Sequence, residues 1–192
     1  TFLTNHDQNR ILSSVGNDMN KAKIAASLLF TLPGSPYIYY GEEIGMLGEK
    51  PDQFIREPFI WSKTSSDKFR TTWIEPKFSV ASAVTPMQDQ VKDKSSLLNH
   101  YKSFIKLRNN SSALTYGELT PVELSNSKIS AFVRTDDKES LLVIHNLSVD
   151  DQAFGLPENM KVFTKTYFAN KKAEVSDGQV KVPGYGTLIL QK

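Results

Sequence analysis

The sequence contains no cysteine. Disulfide frameworks, thiolate metal centres and cysteine nucleophiles are excluded together by that absence. It leaves the compartment open, because many bacterial secreted enzymes also dispense with cysteine. Long apolar runs are missing as well. The longest, Ile24 to Leu32, is broken by Ser27 and Thr31 and falls short of the roughly 20 residues that a membrane helix requires. Charge of one sign is not in excess either: 23 basic and 21 acidic residues leave a net +2. Without a basic run, or a basic stripe interleaved with aromatics, nucleic acid is a poor partner. The sequence opens on Thr1-Phe2-Leu3, with no initiator Met and no basic n-region, so a signal peptide is not expected within these residues. A start directly on a strand-like segment is expected of a piece of a longer polypeptide.

What is present is ordinary globular material: 192 residues, 39% hydrophobic and 23% charged. That length suits one large domain or two small ones, and either buries enough apolar surface to fold without staples. Phe2 to Thr4 reads as the end of a strand that runs into the polar loop Asn5-His6-Asp7-Gln8-Asn9-Arg10. A helix follows, capped by Asn17 or Asp18, with Ala22, Ala25, Ala26, Leu28, Leu29 and Leu32 on its apolar face. Pro33-Gly34 stops it. Tyr37-Ile38-Tyr39-Tyr40, ended by Gly41, reads as a buried strand. Strand, loop, helix, turn and strand make a βαβ unit of a parallel sheet.

From Gly41 to about Lys94 periodicity is weak. Loops of that length are functional or disordered, and Phe54, Phe59, Trp61, Phe69, Trp73 and Phe78 argue for order. Ser95 or Ser96 then caps a second helix, whose buried stripe is Leu97, Leu98, Tyr101, Phe104, Ile105 and Leu107, ending near Asn109-Asn110. Beyond it lie short strand-like runs: Glu118 to Leu124, Ile129 to Thr135, Ser140 to Leu147, Lys161 to Phe168, Gln179 to Val182 and Thr187 to Leu190. Turn signals separate them, as in an antiparallel sandwich. The boundary is expected near residue 110.

His6 and Asp7 sit where a strand ends in an α/β context, the place where such folds put functional residues. The bland alternative is loop capping by Asx side chains. Phe2-Leu3-Thr4-Asn5-His6-Asp7-Gln8-Asn9-Arg10 resembles the Asn-His-Asp signature region of the α-amylase superfamily. Leu32 through Met46 is similar to that superfamily's eighth barrel strand and following loop, and Arg56-Glu57-Pro58-Phe59-Ile60-Trp61 to its Arg-x-Pro-x-x-Trp segment. Ser96 through Arg108 resembles its eighth barrel helix, and Leu142 through Ser148 a strand of its C-terminal sandwich. Five segments occur in the family's order.

The resemblance implies an α/β plus all-β chain. Residues 1–110 would form the last βα units of a (β/α)8 barrel, and residues 111–192 an antiparallel β-sandwich. It implies a retaining glycosidase with an oxocarbenium-like transition state. Asp7 would be the third active-site carboxylate, gripping sugar hydroxyls, with His6 donating to the same sugar. Asn5 and Arg10 would be supporting residues, Arg10 bracing the loop or pairing with a carboxylate. Arg56 either contacts a sugar or forms a surface ion pair with Glu57 or Asp52. Glu42 and Glu43 are adjacent at a strand end and so point apart. One is expected to hydrogen-bond under the loop and the other to face solvent. Tyr39, Tyr40, Trp61 and Trp73 suit sugar stacking or packing equally, and His100 and His145 read as structural.

By the same resemblance the nucleophile and the general acid precede this region, and a barrel needs roughly 250 residues. The chain alone is therefore expected to be inactive and to need the upstream part of the same enzyme. No cofactor or metal site is read in the chain itself, whereas calcium is common in the family, with ligands mostly upstream. The implied partner is an α-glucan or maltooligosaccharide. A polymer substrate implies a secreted or cell-surface bacterial enzyme, a short oligosaccharide a cytoplasmic one. The alternatives are an α-glucosidase, a noncatalytic carbohydrate-binding module, or a relative that has lost hydrolysis.

Overall fold

The structure is a computed structural model that describes residues 1–64 and 67–192. The chain divides into two compact units, one of residues 1–29 and 36–103, the other of residues 30–35 and 104–192. Among the described residues no helix is long and apolar enough to cross a membrane.

Unit one is built on helices. The first, α1 (Ile11–Ser14), is a single turn, and α2 (Met19–Thr31) is longer. Asp18 caps α2, its Oδ1 accepting from the amides of Asn20 and Lys21 at 2.8 and 3.2 Å. Two further short helices, α3 (Asp52–Ile55) and α4 (Met87–Lys92), interrupt the aperiodic stretch, and α5 (Leu97–Asn109) follows. Ser96 caps α5 through a bond from the Asn99 amide at 3.2 Å. The last residues of α2 and α5 belong to unit two. Ile44, Met46, Ile60, Val84 and Leu98 form one apolar cluster. Gln90 braces it from α4, donating to the Ile44 and Thr85 carbonyls and accepting from the Leu98 amide. Helices as short as α3 and α4 do not display a 3.6-residue period, which is why the sequence reads as loop there.

The expected strand from Tyr37 to Tyr40 differs in the structure. A single parallel pairing joins Phe2 to Tyr37, with the Tyr37 amide donating to the Thr1 carbonyl at 2.8 Å. Phe2, Tyr37, Ile38 and Tyr40 are exposed rather than buried. Parallel ladders are stable when both faces are covered, and one pairing without flanking strands does not propagate.

In unit two, after the end of α5, comes α6 (Ser112–Tyr116), capped by Ser111, whose hydroxyl accepts from the Leu114 amide. Eight strands follow: β1 (Glu118–Pro121), β2 (Ile129–Thr135), β3 (Ser140–Asn146), β4 (Gln152–Gly155), β5 (Lys165–Ala169), β6 (Glu174–Ser176), β7 (Gln179–Val182) and β8 (Thr187–Gln191). They form a five-stranded sheet, β1-β2-β3-β8-β5, and a three-stranded sheet, β4-β7-β6. Every pairing is antiparallel. Ile129, Ala131, Leu142, Ile144, Leu188 and Leu190 meet Val180 and Val182 in the core between them. The sequence does not show β4 and β6. These are strands of four and three residues whose alternation leaves nothing fully buried.

β3 is buried on both sides. Its His145, without solvent exposure, shares hydrogen bonds with Thr31 Oγ1 and Thr187 Oγ1, both at 2.9 Å. Burial pushes its pKa down to about 3, so the ring is neutral. Arg134 is equally buried and donates to the carbonyls of Thr31 and Gly117, and burial lowers its pKa to about 10. The structural role expected of His145 is the one observed. His100 in unit one has the same character, bonded to Ser27 Oγ at 3.0 Å and the Lys23 carbonyl at 2.9 Å.

Candidate active site

The Asn5–Asn9 loop is shaped by its own side chains and by its neighbours. Asn5 Oδ1 accepts from the Asp7 amide at 2.9 Å, an Asx turn that fixes the backbone of Asp7. Asn9 Oδ1 accepts from the Lys50 amide at 2.8 Å, and the Arg10 amide donates to the Gly48 carbonyl at 2.9 Å. The loop is thus tied at its end to residues 48–50.

Within that frame, Asp7 and His6 stay open to solvent, with side chains 60% and 66% exposed. His6 Nε2 lies 3.3 Å from Asp7 Oδ2. Arg56 reaches the other oxygen, with Nη2 3.3 Å from Asp7 Oδ1, and its Nε donates to the His6 carbonyl at 3.0 Å. The same Nη2 makes a shorter contact, 2.8 Å, to Asp52 Oδ2 on α3. Asp52 also accepts from Lys50 Nζ at 2.8 Å. That bond, with the charges of Lys50, Arg56 and His6, holds the Asp52 carboxyl below its usual pKa. Arg56 therefore pairs with Asp52 and not with the Glu57 carboxylate, and it brings Asp7 and His6 into the same cluster.

Arg10, the last residue before α1, is 1% exposed. Its guanidinium stands 4.7 Å from the centroids of both the Tyr39 and Tyr40 rings. Its Nη1 donates to the Tyr40 carbonyl at 2.7 Å. The side chain thus links the start of α1 to the Tyr39-Tyr40 segment. Desolvation depresses its pKa, opposed by Tyr40, Tyr39 and Glu57. Tyr39 and Tyr40 are thereby engaged as packing for a buried cation. Tyr40 also donates to the Glu57 carbonyl at 2.9 Å.

Glu57, a residue the sequence reading did not single out, has no solvent exposure. Its Oε1 accepts from the amides of Lys77 and Phe78 at 2.7 and 3.0 Å. Its Oε2 accepts from Phe78 and Ser79 at 3.2 and 2.6 Å. One carboxylate thus closes the stretch from 58 to 76 at both ends. The sequence signal is a charged residue directly before the apolar run Pro58-Phe59-Ile60-Trp61, where burial leaves it only backbone amides as partners.

Glu42 is 2% exposed. It accepts from Thr4 Oγ1 at 2.9 Å and from Tyr101 Oη at 2.8 Å, and burial raises its pKa to about 6. It is the glutamate expected to bond under the loop. Glu43 differs from expectation. It is half-buried, its Oε2 is shielded from water, and desolvation raises its pKa. The 3-10 turn Glu42–Ile44 directs it inward, so the opposition of adjacent residues on a strand does not apply.

Trp61 packs against Phe59 at 4.4 Å and Phe69 at 6.4 Å between ring centroids, and Trp73 is exposed. Calcium takes six to eight oxygen ligands. Among the described residues no three His, Asp or Glu side chains converge to hold a metal.

Residues 1–117 match the family described as alpha amylase, catalytic domain, and residues 129–189 match the family described as alpha-amylase SusG C-terminal domain. The chain is 35% identical to alpha-amylase 3 of Dictyoglomus thermophilum, over 99% of this chain and 38% of that protein. It is also 35% identical to alpha-amylase SusG of Bacteroides thetaiotaomicron, over 100% of this chain and 29% of that protein. Similarity extends to an oligo-1,6-glucosidase of Bacillus cereus, at 30% identity over 83% of this chain and 36% of that protein. Among solved structures, an alpha-amylase from H. orenii superimposes with a TM-score of 0.86 at 38% identity, covering 100% of this chain and 39% of that one. The chain thus spans well under half the length of the relatives it matches.

Proposed function

The chain belongs to the alpha-amylase catalytic-domain family, and on that premise we propose that it forms part of the active site of a retaining hydrolase of α-1,4-glucans. Residues 1–110 contribute the last βα units of the barrel and residues 111–192 the accompanying sandwich. The nucleophile and the general acid come from the polypeptide upstream, as in glycosidases that place two carboxylates across the scissile bond.

Asp7 is the third carboxylate, accepting hydrogen bonds from hydroxyls beside the reacting carbon. One observation carries this reading. Asp7 is oriented from three sides, by Asn5, His6 and Arg56, and yet remains 60% exposed. A carboxylate that only capped its loop would not need a guanidinium on one oxygen and an imidazole on the other. Held in advance, it loses little freedom when a sugar arrives. Its bonds raise the rate to the extent that they tighten as the ring flattens toward the oxocarbenium ion. His6 donates to the same sugar, and Arg56 orients Asp7 and reaches the substrate beside it. Phe2, Tyr37 and Ile38 support a neighbouring barrel segment, since exposed apolar edges are otherwise liabilities. Any calcium bound by the enzyme is expected to take its ligands mostly from the upstream polypeptide.

The test uses the longer polypeptide that includes the upstream barrel. Asp7→Asn is expected to lower kcat on starch by roughly 100- to 1000-fold with the fold intact, and parental activity in that variant would overturn the role. The 192-residue chain alone is expected to release no sugar from starch, and reproducible hydrolysis would overturn that expectation. An α-glucosidase acting on short oligosaccharides is the second reading, supported by the likeness to an oligo-1,6-glucosidase. Comparing a chromogenic disaccharide with insoluble starch separates the two. It also bears on location, because a polymer is met outside the cell. A noncatalytic module would instead show glucan affinity in residues 111–192, with no activity lost in Asp7→Asn.

A further inference from the structure

Thr4 is the residue immediately before Asn5-His6-Asp7. Its hydroxyl and that of Tyr101 both donate to Glu42, one to each carboxylate oxygen, at 2.9 and 2.8 Å. Thr4, Glu42 and Tyr101 are 5%, 2% and 1% exposed. They arrive from three elements: the segment paired with Tyr37, the 3-10 turn Glu42–Ile44, and α5. The turn has little freedom. Gly41 and Gly45 flank it with φ of 81° and 72°, and a Cβ on Gly41 would sit 2.2 Å from Met46 Sδ. Glu42 therefore enters from one direction.

A buried carboxylate that serves only packing is a poor choice, because a neutral side chain of the same shape avoids the desolvation cost. What the carboxylate does that an apolar residue cannot is accept from two hydroxyls at once. One of those hydroxyls is one residue from the Asx turn that fixes the Asp7 amide.

We propose that Glu42 is a positioning residue for the Asp7 carboxylate, bridging Thr4 to Tyr101 and so setting where the Asn5-His6-Asp7 backbone departs. This rests on the reading of Asp7 given above. Ionised Glu42 accepts both bonds as drawn. Protonated Glu42 carries a hydroxyl of its own, so one of the two partners must turn and accept instead. The groups that face it are Thr4, Tyr101, Glu43 and Arg10. Burial, opposed by the two hydroxyl donors and by Arg10, places its titration near pH 6.

The longer polypeptide is again the test material. Glu42→Ala is expected to lower kcat on a soluble maltooligosaccharide by about 100-fold, the cost of misplacing a reacting group by about 1 Å, with a much smaller change in KM. Glu42→Gln restores most of that loss, because its carbonyl accepts from one hydroxyl and its amide donates to the other. As the neutral mimic of protonated Glu42 it holds kcat at the parent's low-pH level, a few-fold below the parent at neutral pH, and so shows no acid limb near pH 6. Thr4→Val deletes a single donor at constant volume and is expected to lower kcat about tenfold; it also serves if Glu42→Ala does not fold. Parental kcat in folded Thr4→Val, with a parental pH profile in folded Glu42→Gln, would overturn the inference, as would a lowered melting temperature with unchanged kcat. Asp7→Asn run alongside tells the two proposals apart. Full activity there sinks the reading of Asp7. Collapse there, with Thr4→Val unaffected, sinks only the role of Glu42.

Discussion

Arg56 holds Asp7 at 3.3 Å with the same nitrogen that holds Asp52 at 2.8 Å. The tighter partner fixes the guanidinium on α3, and the looser one leaves the Asp7 carboxylate free to take a ligand without first breaking a strong bond. Exposed ion pairs contribute about 0–1 kcal/mol to stability, so this cluster is expected to matter for geometry rather than folding.

That expectation gives the first prediction. Arg56→Lys keeps the charge but loses the planar fork that spans Asp52, Asp7 and the His6 carbonyl. In the longer polypeptide kcat/KM is expected to fall by roughly tenfold or more, while the unfolding free energy stays within about 0.5 kcal/mol of the parent. Steady-state kinetics and urea denaturation on one preparation check both parts. A large stability loss with unchanged kinetics would make Arg56 structural.

Glu57 supplies the opposite case. It is fully buried and accepts from three backbone amides. Glu57→Gln replaces one acceptor oxygen with a donor, which strands an amide facing it. A destabilisation of about 2 kcal/mol is expected, read by chemical denaturation of the purified variant. A change below about 0.5 kcal/mol would show that the 77–79 segment is held by other contacts.

Glu42 gives a pH dependence of definite sign. Its carboxyl loses its proton near the ordinary 4.5 when unfolded and near 6 when folded. Between those values the folded state binds the extra proton, so this group's contribution to stability falls as pH rises. The penalty, about 2 kcal/mol, is fully present above pH 6. Glu42→Gln has no such group. The stability of the variant relative to the parent is expected to rise from pH 4.5 to pH 6 and then level off, measured by urea denaturation across that range. A flat difference would rule this out.

His145 acts in the other direction. The folded ring titrates near 3 against an ordinary 6.5, so the unfolded chain takes up the proton first and stability is lost as pH falls below 6.5. By pH 5 the loss is about 2 kcal/mol. His145→Gln, neutral throughout, is expected to lose that much less than the parent between pH 7.5 and pH 5, whatever its starting stability. Equal losses in the two proteins would exclude the histidine as the source.

What the sequence made legible follows from the range of the forces involved. The α2 and α5 caps, Asp18 and Ser96, and the extents of β2 and β7 rest on local patterns of three to seven residues, and all are found where the pattern puts them. The Asn5–Asp7 segment, Arg56 and their order were also readable, though not that Arg56 and Asp7 would meet. Glu57 and the Thr4–Glu42–Tyr101 bridge were not. Their partners lie 20 to 59 positions away, and a glutamate whose acceptors are filled by distant donors looks in sequence like any surface glutamate. Tyr37 to Tyr40 misled for the converse reason. Its composition suits a covered parallel strand, and the covering is not local.

The closure made by Glu57 has a consequence for how this stretch of chain tolerates change. Both ends of the 58–76 stretch are fastened by one side chain, so the stretch is anchored like a cassette in a fixed frame. Doubling such a loop costs only about 0.6 kcal/mol in closure entropy. Past the buried Ile60, length and side chains are therefore free to diverge, and with them whatever Trp61, Phe69 and Trp73 present, while Arg56 at the inner anchor keeps its hold on Asp7.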